Sequence, residues 1–293
     1  MNTPLPRGPE RATARRRRSP AARAWATIWS QRGRFASRRD WSKRLLDGLL
    51  RRLTRPGSPW RRGSWAVRIR GYREPFIIRR TSKDWVALRE IIFDREYALA
   101  LPYCGPAPAI LDLGSNIGLS IRFFAEHLPG ARVVGVEPEP ENFAACERNV
   151  AAAGLGARVE LVRACVAADA GTVHLDRSGQ PMEYRMTQGE GPGRLPVSAV
   201  TMAEVLDRFQ GPVDLVKCDV EGAEGQLLRD CGPWIGRVGF FLLETHAPYT
   251  LEDAARDLAA GGVAVELLER RQRLPITQLG LFRITPLGGA PRR

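Results

Sequence analysis

Short apolar runs alternate with helical stretches from residue 109 to residue 260, and this alternation constrains the fold more than any other feature. Runs of strand length occupy 109–113, 132–137, 158–163, 213–219 and 238–244. Helical spacing lies between or after them, at 119–127, 139–153, 202–209, 223–231 and 251–260. Such alternation is typical of a mostly parallel sheet that helices cover on both faces.

The last two apolar runs, 263–268 and 279–285, follow one another without a helix between them. A connection without a crossover favours an antiparallel strand beside its predecessor. We therefore predict an α/β protein with a doubly wound, mostly parallel seven-stranded sheet and an antiparallel last strand. Outside this sheet, 65–79 predict a strand pair, 83–99 a helix and 172–175 a small strand. The segment 176–196 is rich in Gly and Pro and predicts a long loop, which is functional or disordered.

The positive charge of the chain lies in its N-terminal part. Residues 1–63 contain 18 Lys and Arg against 3 acidic residues, whereas the rest contains 27 against 29. We divide the chain accordingly into a basic extension, 1–63, and a folded domain, 64–293. Residues 1–40 are predicted to be disordered and dispensable for folding, because they have few large apolar side chains. The nearly neutral domain argues against a nucleic-acid partner.

A second helical pattern lies inside the extension, at 41–53. Trp41 and five leucines recur there at helical spacing, with Lys and Arg between them. We favour a helix that packs on the domain, because most amphipathic helices face a core. The alternative is a basic helix on an anionic membrane surface, which would give the extension a weak surface contact.

Composition excludes several other classes. The five cysteines form no C-x-x-C pair, so reduced thiols are expected rather than a disulfide framework or a zinc site, and no metal site is predicted. The chain has no run of eighteen apolar residues and no apolar segment behind its N-terminal charges. We therefore predict neither a membrane span nor a secretory signal, and expect a cytoplasmic protein that is at most peripheral at the membrane.

The segment from Asp112 to Gly118, with the sequence DLGSNIG, joins the first strand of the sheet to a helix. Glycines at this place let the backbone approach a ligand at the carboxyl end of the strand. Gly114 and Gly118 are four residues apart, unlike the G-x-G-x-x-G of dinucleotide folds. An acid before them would repel a pyrophosphate, and would suit a ligand with an ammonium and a sulfonium cation.

Carboxylates and one imidazole follow the other strands. Glu137 ends the next strand, where a carboxylate accepts hydrogen bonds from a ribose 2′,3′-diol. Lys217, Asp219 and Glu221 end the strand that should lie beside the Asp112 strand, and buried charges there must be paired or face a cleft. His246 ends the strand after that, and an imidazole of near-neutral pKa at a cleft is a natural base for a hydroxyl.

These motifs together resemble the FkbM family of S-adenosylmethionine (SAM)-dependent methyltransferases. The similar segments are DLGSNIGLS, VEPEPENF, LVKCDVEGAE and LLETH, with RRTSKDWVALREIIFDREYAL upstream. The resemblance covers residues 75 to about 246. It implies a Rossmann-like methyltransferase fold with SAM as cofactor. The residues expected to bind SAM are Asp112, Gly114, Ser115, Asn116, Gly118, Glu137, Asn142 and Asp219.

One departure from the family concerns the adenine. Members often have an Asn and an Ala after the third strand, and Arg163 and Cys165 take those places here. Backbone groups of Ala164 and Cys165 are therefore expected to contact the adenine.

The resemblance further implies methyl transfer to a hydroxyl of a sugar or secondary metabolite, so the expected partner is a small-molecule or glycan acceptor. His246 or Asp219 is the candidate base, Lys217 an orienting charge, and 176–196 part of a lid over the acceptor. Two alternatives stay open. One is an RNA or other nucleic-acid methyltransferase that uses the basic extension, although Lys217–Glu221 stands where base-methylating enzymes have Asn/Asp-Pro-Pro-aromatic. The other is a SAM-binding protein without catalysis.

Overall fold

The computed structural model describes residues 26–176, 185–187, 191, 193–274 and 276–288. The N-terminal part contains helix α1 (Arg38–Leu53) and an antiparallel pair, β1 (Ser64–Val67) and β2 (Phe76–Arg79). Short 3₁₀ turns lie at Gln31–Arg34 and Pro59–Arg61. The strand pair expected at 65–79 is therefore confirmed.

The helix predicted over 83–99 is divided into three pieces. Helix α2 (Asp84–Ala87) passes into a π-helical turn (Leu88–Phe93), and a 3₁₀ helix follows (Glu96–Tyr103). Between the last two, Arg95 has a left-handed φ of 53°. A helix cannot continue through such a residue, so the apolar periodicity alone overstated its length.

The central sheet begins with the parallel strands β3 (Ala109–Leu113), β4 (Arg132–Val136) and β5 (Val159–Val162). Helices α3 (Leu119–His127) and α4 (Pro140–Ala152) connect them. A smaller sheet follows, with β6 (Cys165–Val166), β7 (Gly171–Asp176), β8 (Arg185–Thr187) and β9 (Arg194–Val200) in the order β6-β9-β7-β8. The small strand predicted at 172–175 is thus one member of a second sheet.

The second half of the domain completes the large sheet. Its elements are α5 (Met202–Leu206), β10 (Val213–Cys218), α6 (Glu224–Leu228), α7 (Gly232–Ile235), β11 (Val238–His246), α8 (Leu251–Ala260), β12 (Val263–Leu274) and β13 (Thr277–Pro286). The seven strands have the order β12-β13-β11-β10-β3-β4-β5. Strand β13 is antiparallel to both of its neighbours, as predicted, and the other adjacent pairs are parallel.

Apolar side chains fill both faces of this sheet. Alternate residues of β3 point to opposite sides, so that Ile110 belongs to one buried cluster and Leu111 to the other. Because β3, β4, β10 and β11 are parallel, their carboxyl ends lie at one edge of the sheet, where doubly wound sheets bind ligands. No helix among the described residues is long and apolar enough to cross a membrane.

The extension is more ordered than its composition indicates. Residues 1–25 lie outside the described residues, but the prediction of disorder is wrong for 26–40. Ile28 is 7% exposed and Phe35 1% exposed, and Phe35 forms a β-bridge with Ile69. A few buried apolar side chains therefore attach this segment to the domain, although its overall composition is polar. A chain that starts at Trp41 would lack these contacts.

Helix α1 packs on the domain, as favoured above, but it does so through aspartates rather than leucines. Asp47 is 2% exposed and accepts hydrogen bonds from Trp65 Nε1 at 3.0 Å and from the Thr81 backbone N–H at 2.7 Å. Leu46, Leu49 and Leu53 lie on the exposed side.

Replacing Asp47 by alanine should lower the free energy of unfolding by about 2 kcal/mol, because two buried donors would lose their acceptor. Urea unfolding followed by circular dichroism would measure this. The matched control is Leu53→Ala on the same helix, whose side chain is 80% exposed and should change stability by less than about 0.5 kcal/mol. Equal effects of the two substitutions would contradict the contact.

Candidate functional site

The turn after β3 is shaped by two glycines that no larger residue can replace. Gly114 has a φ of 75°, and a Cβ on it would lie 1.9 Å from the Asp219 carbonyl oxygen. Gly118 has a φ of 81°, and a Cβ there would meet Cys146 Sγ at 2.8 Å. The turn therefore approaches the end of β10 and the side of α4 as closely as a backbone can, so the glycines serve packing within the protein, and their approach to a ligand stays a prediction.

Glu137 is held at the end of β4 beside this turn. Its carboxylate accepts hydrogen bonds from the backbone N–H groups of Asn116, at 2.8 Å, and Glu139, at 2.9 Å. Asn142 Nδ2 lies 3.4 Å from the same carboxylate. Burial nevertheless raises the pKa of Glu137 to about 7. The structure thus brings together a carboxylate, a turn and an amide that the sequence placed in one site.

A cavity opens between these groups and the smaller sheet. Its lining residues are Leu113, Gly114, Asn116, Val136, Glu137, Pro138, Glu139, Asn142, Ala164, Cys165, Val166, Leu175, Asp219, Val220 and Glu221. Ala164 and Cys165, the residues expected to contact the adenine, line this cavity, and the contact itself stays a prediction. Sequence reasoning missed Leu175 of β7, because only the pairing of the second sheet brings that strand to the cavity.

Two residues predicted to face the ligand support the turn instead. The Asp112 side chain is fully buried, and its Oδ2 accepts a hydrogen bond from Ser120 Oγ at 2.5 Å. Its Oδ1 lies 3.1 Å from Lys217 Nζ, which also donates to the carbonyl oxygens of Leu113 and Gly114. A buried ammonium must be paired in this way. Lys217 is therefore a positioning residue for the glycine turn rather than a free orienting charge.

Ser115 also acts within the turn, since its Oγ donates to the Asp112 carbonyl oxygen at 2.9 Å. Asn116 differs from it. Asn116 has a left-handed φ of 49°, and its Oδ1 is buried without a hydrogen-bond partner among the described residues. Of the two, Asn116 is the one with a polar atom left for a ligand.

Asp219 lies at the junction of this cavity with a second one, of about 370 Å³, on the other side of the turn. Four residues line both cavities: Gly114, Asn116, Asp219 and Glu221. Asp219 Oδ1 is buried and has no hydrogen-bond partner among the described residues. Asp219 therefore borders both cavities and has one buried carboxylate oxygen without a partner in the described part of the chain.

His246 lines the second cavity among several carboxylates. Its Nδ1 lies 2.8 Å from Glu224 Oε1, and its Nε2 lies 3.4 Å from Glu221 Oε2. Burial alone would lower the pKa of His246, but the hydrogen bond to Glu224 and the charge of Asp219 raise it to about 9. These neighbours thus shift the pKa of His246 above the near-neutral range expected from the sequence and favour the protonated imidazole at pH 7.

Sequence reasoning also missed a buried charge network in this cavity. Arg273 of β12 contacts Glu90 at 3.1 Å, Glu96 at 2.8 Å and Glu244. Burial raises the pKa of Glu96 to about 7, and burial and the charge of Asp219 raise that of Glu244. These residues belong to three separate segments, so no single sequence motif contains them.

One group of side chains near the junction could hold a cation. The ligand atoms of Asp219, Glu221 and His246 all lie within 4.8 Å of one another. Oxygen and imidazole donors of this kind bind divalent cations. The composition of the chain had not indicated such a set.

The long loop expected at 176–196 is only partly described. Strand β8 and the start of β9 lie within it and pair with β7, so part of the predicted loop is sheet. Its other residues lie mostly outside the described ones, and its assignment as a lid stays a prediction.

Residues 112–261, just over half of the chain, match the methyltransferase FkbM domain. No curated protein matches the sequence. Among solved structures, methyltransferase FkbM from Methylobacillus flagellatus KT has a TM-score of 0.42 at 16% identity, over 60% of this chain and 44% of that chain. The aligned region is thus less than half of that protein's length.

Two further solved structures share the fold at low identity. The METTL16 MTase domain has a TM-score of 0.44 at 12% identity, over 68% of this chain and 67% of that chain. Fibrillarin from Aeropyrum pernix, solved with natively bound SAM, has a TM-score of 0.40 at 15% identity, over 64% and 74%. The assignment rests on the domain match, which includes the glycine turn, Glu137, Asp219 and His246. The chain therefore belongs to the FkbM family of SAM-dependent methyltransferases.

Proposed function

We propose that this protein transfers the methyl group of SAM to a hydroxyl group of a sugar or another small polyhydroxylated metabolite. The observation that carries the proposal is the junction of two cavities at Asp219. One cavity has the groups that suit a nucleoside, and the other is lined by carboxylates that can accept hydrogen bonds from hydroxyls.

The residues of the first cavity fit SAM. Glu137 would accept hydrogen bonds from the ribose hydroxyls, and Asn116 offers an unpartnered oxygen beside it. Ala164 and Cys165 would form the wall against the adenine. SAM supplies a methyl group on a sulfonium, which is already an activated leaving group.

The chain must then orient the acceptor oxygen and accept its proton. Orientation can contribute ~7–11 kcal/mol at the favourable limit, and a base adds ~10²–10⁴-fold. Of the two candidate bases, Asp219 fits better, because it borders both cavities and has an unpartnered oxygen. His246 holds a proton at neutral pH and would donate a hydrogen bond to the acceptor.

The carboxylates also argue against a nucleic-acid acceptor. Glu90, Glu96, Asp219, Glu221 and Glu244 all line the second cavity. Three of these acids pair with Arg273, and Lys217 pairs with Asp112, so these two cations are already engaged and do not offer the phosphate contacts that nucleic-acid enzymes make with Lys and Arg. A neutral polyol carries no phosphates and does not need such contacts.

Methyl transfer from radiolabelled SAM to a panel of sugars, glycosides and hydroxylated metabolites tests the proposal, with Asp219→Asn protein as the inactive control. Comparison of metabolites between wild-type and deletion strains would identify the natural acceptor. Label in RNA or on amine acceptors, with none in the hydroxylated panel, would overturn the proposal. SAM binding without transfer to any acceptor would favour the non-catalytic alternative.

The raised pKa of Glu137 predicts that the affinity for SAM depends on pH. Its pKa is raised to about 7 by burial, and only the ionised carboxylate accepts from both ribose hydroxyls. The Kd for SAM should therefore increase as the pH falls below 7, by up to about tenfold per pH unit. Calorimetry between pH 6 and 8.5 would measure this.

Glu137→Gln should weaken SAM binding at pH 8 by about 1.5–3 kcal/mol, as expected for hydrogen bonds to a charged group, and should flatten the pH profile. Glu141→Gln, an exposed position in the first turn of α4, is the matched control. An unchanged pH profile in Glu137→Gln would show that another group titrates.

A further inference from the structure

The region from residue 26 to residue 73 presents almost only positive charge to the solvent. It contains 14 Lys and Arg, and its only acidic residues are Asp40 and Asp47. These two are buried, at 5% and 2% exposure. The acids of the region are therefore inside, whereas most of its basic side chains remain at the surface.

Both aspartates are used to attach α1 to the domain. Asp40 lies 2.8 Å from Lys43 Nζ and accepts from the Arg68 backbone N–H at 3.2 Å. Asp47 accepts from Trp65 and Thr81, as described above. These residues are seven apart, so they share one helix face. The face with the two aspartates thus packs inward, and three of the leucines are left outside.

The outward face carries leucines of unusual exposure. Leu46 is 47% exposed, Leu49 42% and Leu53 80%, and their spacing puts them on one stripe of the helix. Trp60 follows in the next turn and is 69% exposed. The Arg61 side chain donates to the Arg51 carbonyl oxygen at 2.7 Å, which holds this turn against the end of α1.

Exposed arginines lie on α1 and just after its end, among them Arg38, Arg39, Arg51, Arg52 and Arg55. We propose that α1 and the turn at residues 58–62 form a docking surface for anionic lipid bilayers, with α1 lying in the plane of the interface. Leucine and tryptophan side chains would enter the acyl boundary while arginines contact lipid phosphates. A nucleic acid would use the arginines but offers nothing to cover the leucines, so the lipid surface is the better match.

Co-sedimentation of the full chain with lipid vesicles tests the proposal. The probes are vesicles of phosphatidylcholine alone and vesicles containing about one third phosphatidylglycerol, an anionic lipid. We expect binding to the anionic vesicles, weaker binding in high salt, and little binding to phosphatidylcholine. The double variant Leu49→Glu/Leu53→Glu should lose most of the binding, because it places carboxylates in the apolar stripe.

A charge variant, Arg39→Glu/Arg51→Glu, should lower the vesicle partition coefficient at least about 25-fold, from about fivefold for each basic charge removed. The matched control is Leu287→Glu, since Leu287 is 72% exposed and lies outside this surface. Unchanged SAM affinity and melting temperature would show that each variant is folded.

Failure of the wild-type chain to bind anionic vesicles would overturn the proposal. Loss of binding in the arginine variant but not in the leucine variant would also overturn it, because a purely electrostatic contact does not need the stripe. Binding of an RNA oligonucleotide that depends on the same residues, without vesicle binding, would identify a nucleic-acid surface instead.

Discussion

Replacing Asp219 by asparagine is expected to lower kcat by about 10²- to 10⁴-fold, which is the usual contribution of a catalytic base. Asparagine has nearly the size of aspartate but accepts no proton at neutral pH. Because Asp219 borders both cavities and has a carboxylate oxygen without a partner among the described residues, the loss of the carboxylate should affect turnover much more than the Kd for SAM. Steady-state kinetics with an acceptor from the panel, together with calorimetry for SAM, would measure both.

His246→Gln is the comparison that separates the two candidate bases. If His246 donates a hydrogen bond and Asp219 accepts the proton, His246→Gln should reduce kcat less than Asp219→Asn does. A base at His246 would instead make kcat/KM rise with pH up to about 9, the pKa to which its carboxylate neighbours raise it. If kcat/KM rises with pH in this way and His246→Gln abolishes the rise, His246 is the base.

A cation at the junction would also explain a loss in Asp219→Asn. The group formed by Asp219, Glu221 and His246 can be tested without turnover by titrating the protein with Mn²⁺ and following its paramagnetic resonance. Activity that survives exhaustive chelation would leave Asp219 as a simple proton acceptor. Activity lost on chelation and restored by a divalent cation would instead make Asp219 a ligand.

Replacing Lys217 by methionine should lower the free energy of unfolding by about 3–5 kcal/mol, as expected when one partner of a buried ion pair is removed. Lys217 is 2% exposed and is the charge partner of the fully buried Asp112. Without the ammonium, this carboxylate would remain charged in the core, and the carbonyl oxygens of Leu113 and Gly114 would lose a donor. Urea unfolding would measure the loss.

A second variant distinguishes the uncompensated charge from a simple packing defect. Adding Asp112→Asn to Lys217→Met removes the buried negative charge, so the double variant should be more stable than Lys217→Met alone. If the stability losses of Lys217→Met and Asp112→Asn simply add in the double variant, the two residues contribute to stability independently. SAM binding should weaken in Lys217→Met, because the glycine turn would no longer be held at its two carbonyl oxygens.

The amino-acid sequence by itself determined the seven-stranded α/β architecture, the antiparallel last strand, the glycine turn and the place of Glu137. These features depend on local periodicity and on backbone sterics within a few residues. Periodicity did not reveal where a regular pattern ends, so the helix expected over 83–99 was interrupted at Arg95. The composition of residues 1–40 likewise did not predict that Phe35 would be buried.

Only the tertiary structure decided which charges are paired and which face a cavity. Lys217 and Asp112 are separated by more than one hundred residues, and their contact follows from the neighbouring positions of β3 and β10. Arg273 likewise meets Glu90 and Glu96 although more than 170 residues separate them in the chain. Helix α1 has its aspartates inward and Leu46, Leu49 and Leu53 outward, and Asp47 accepts hydrogen bonds from Trp65 and Thr81 of the domain. Burial and charge pairing depend on contacts between distant segments of the folded chain, so a local sequence pattern cannot predict them.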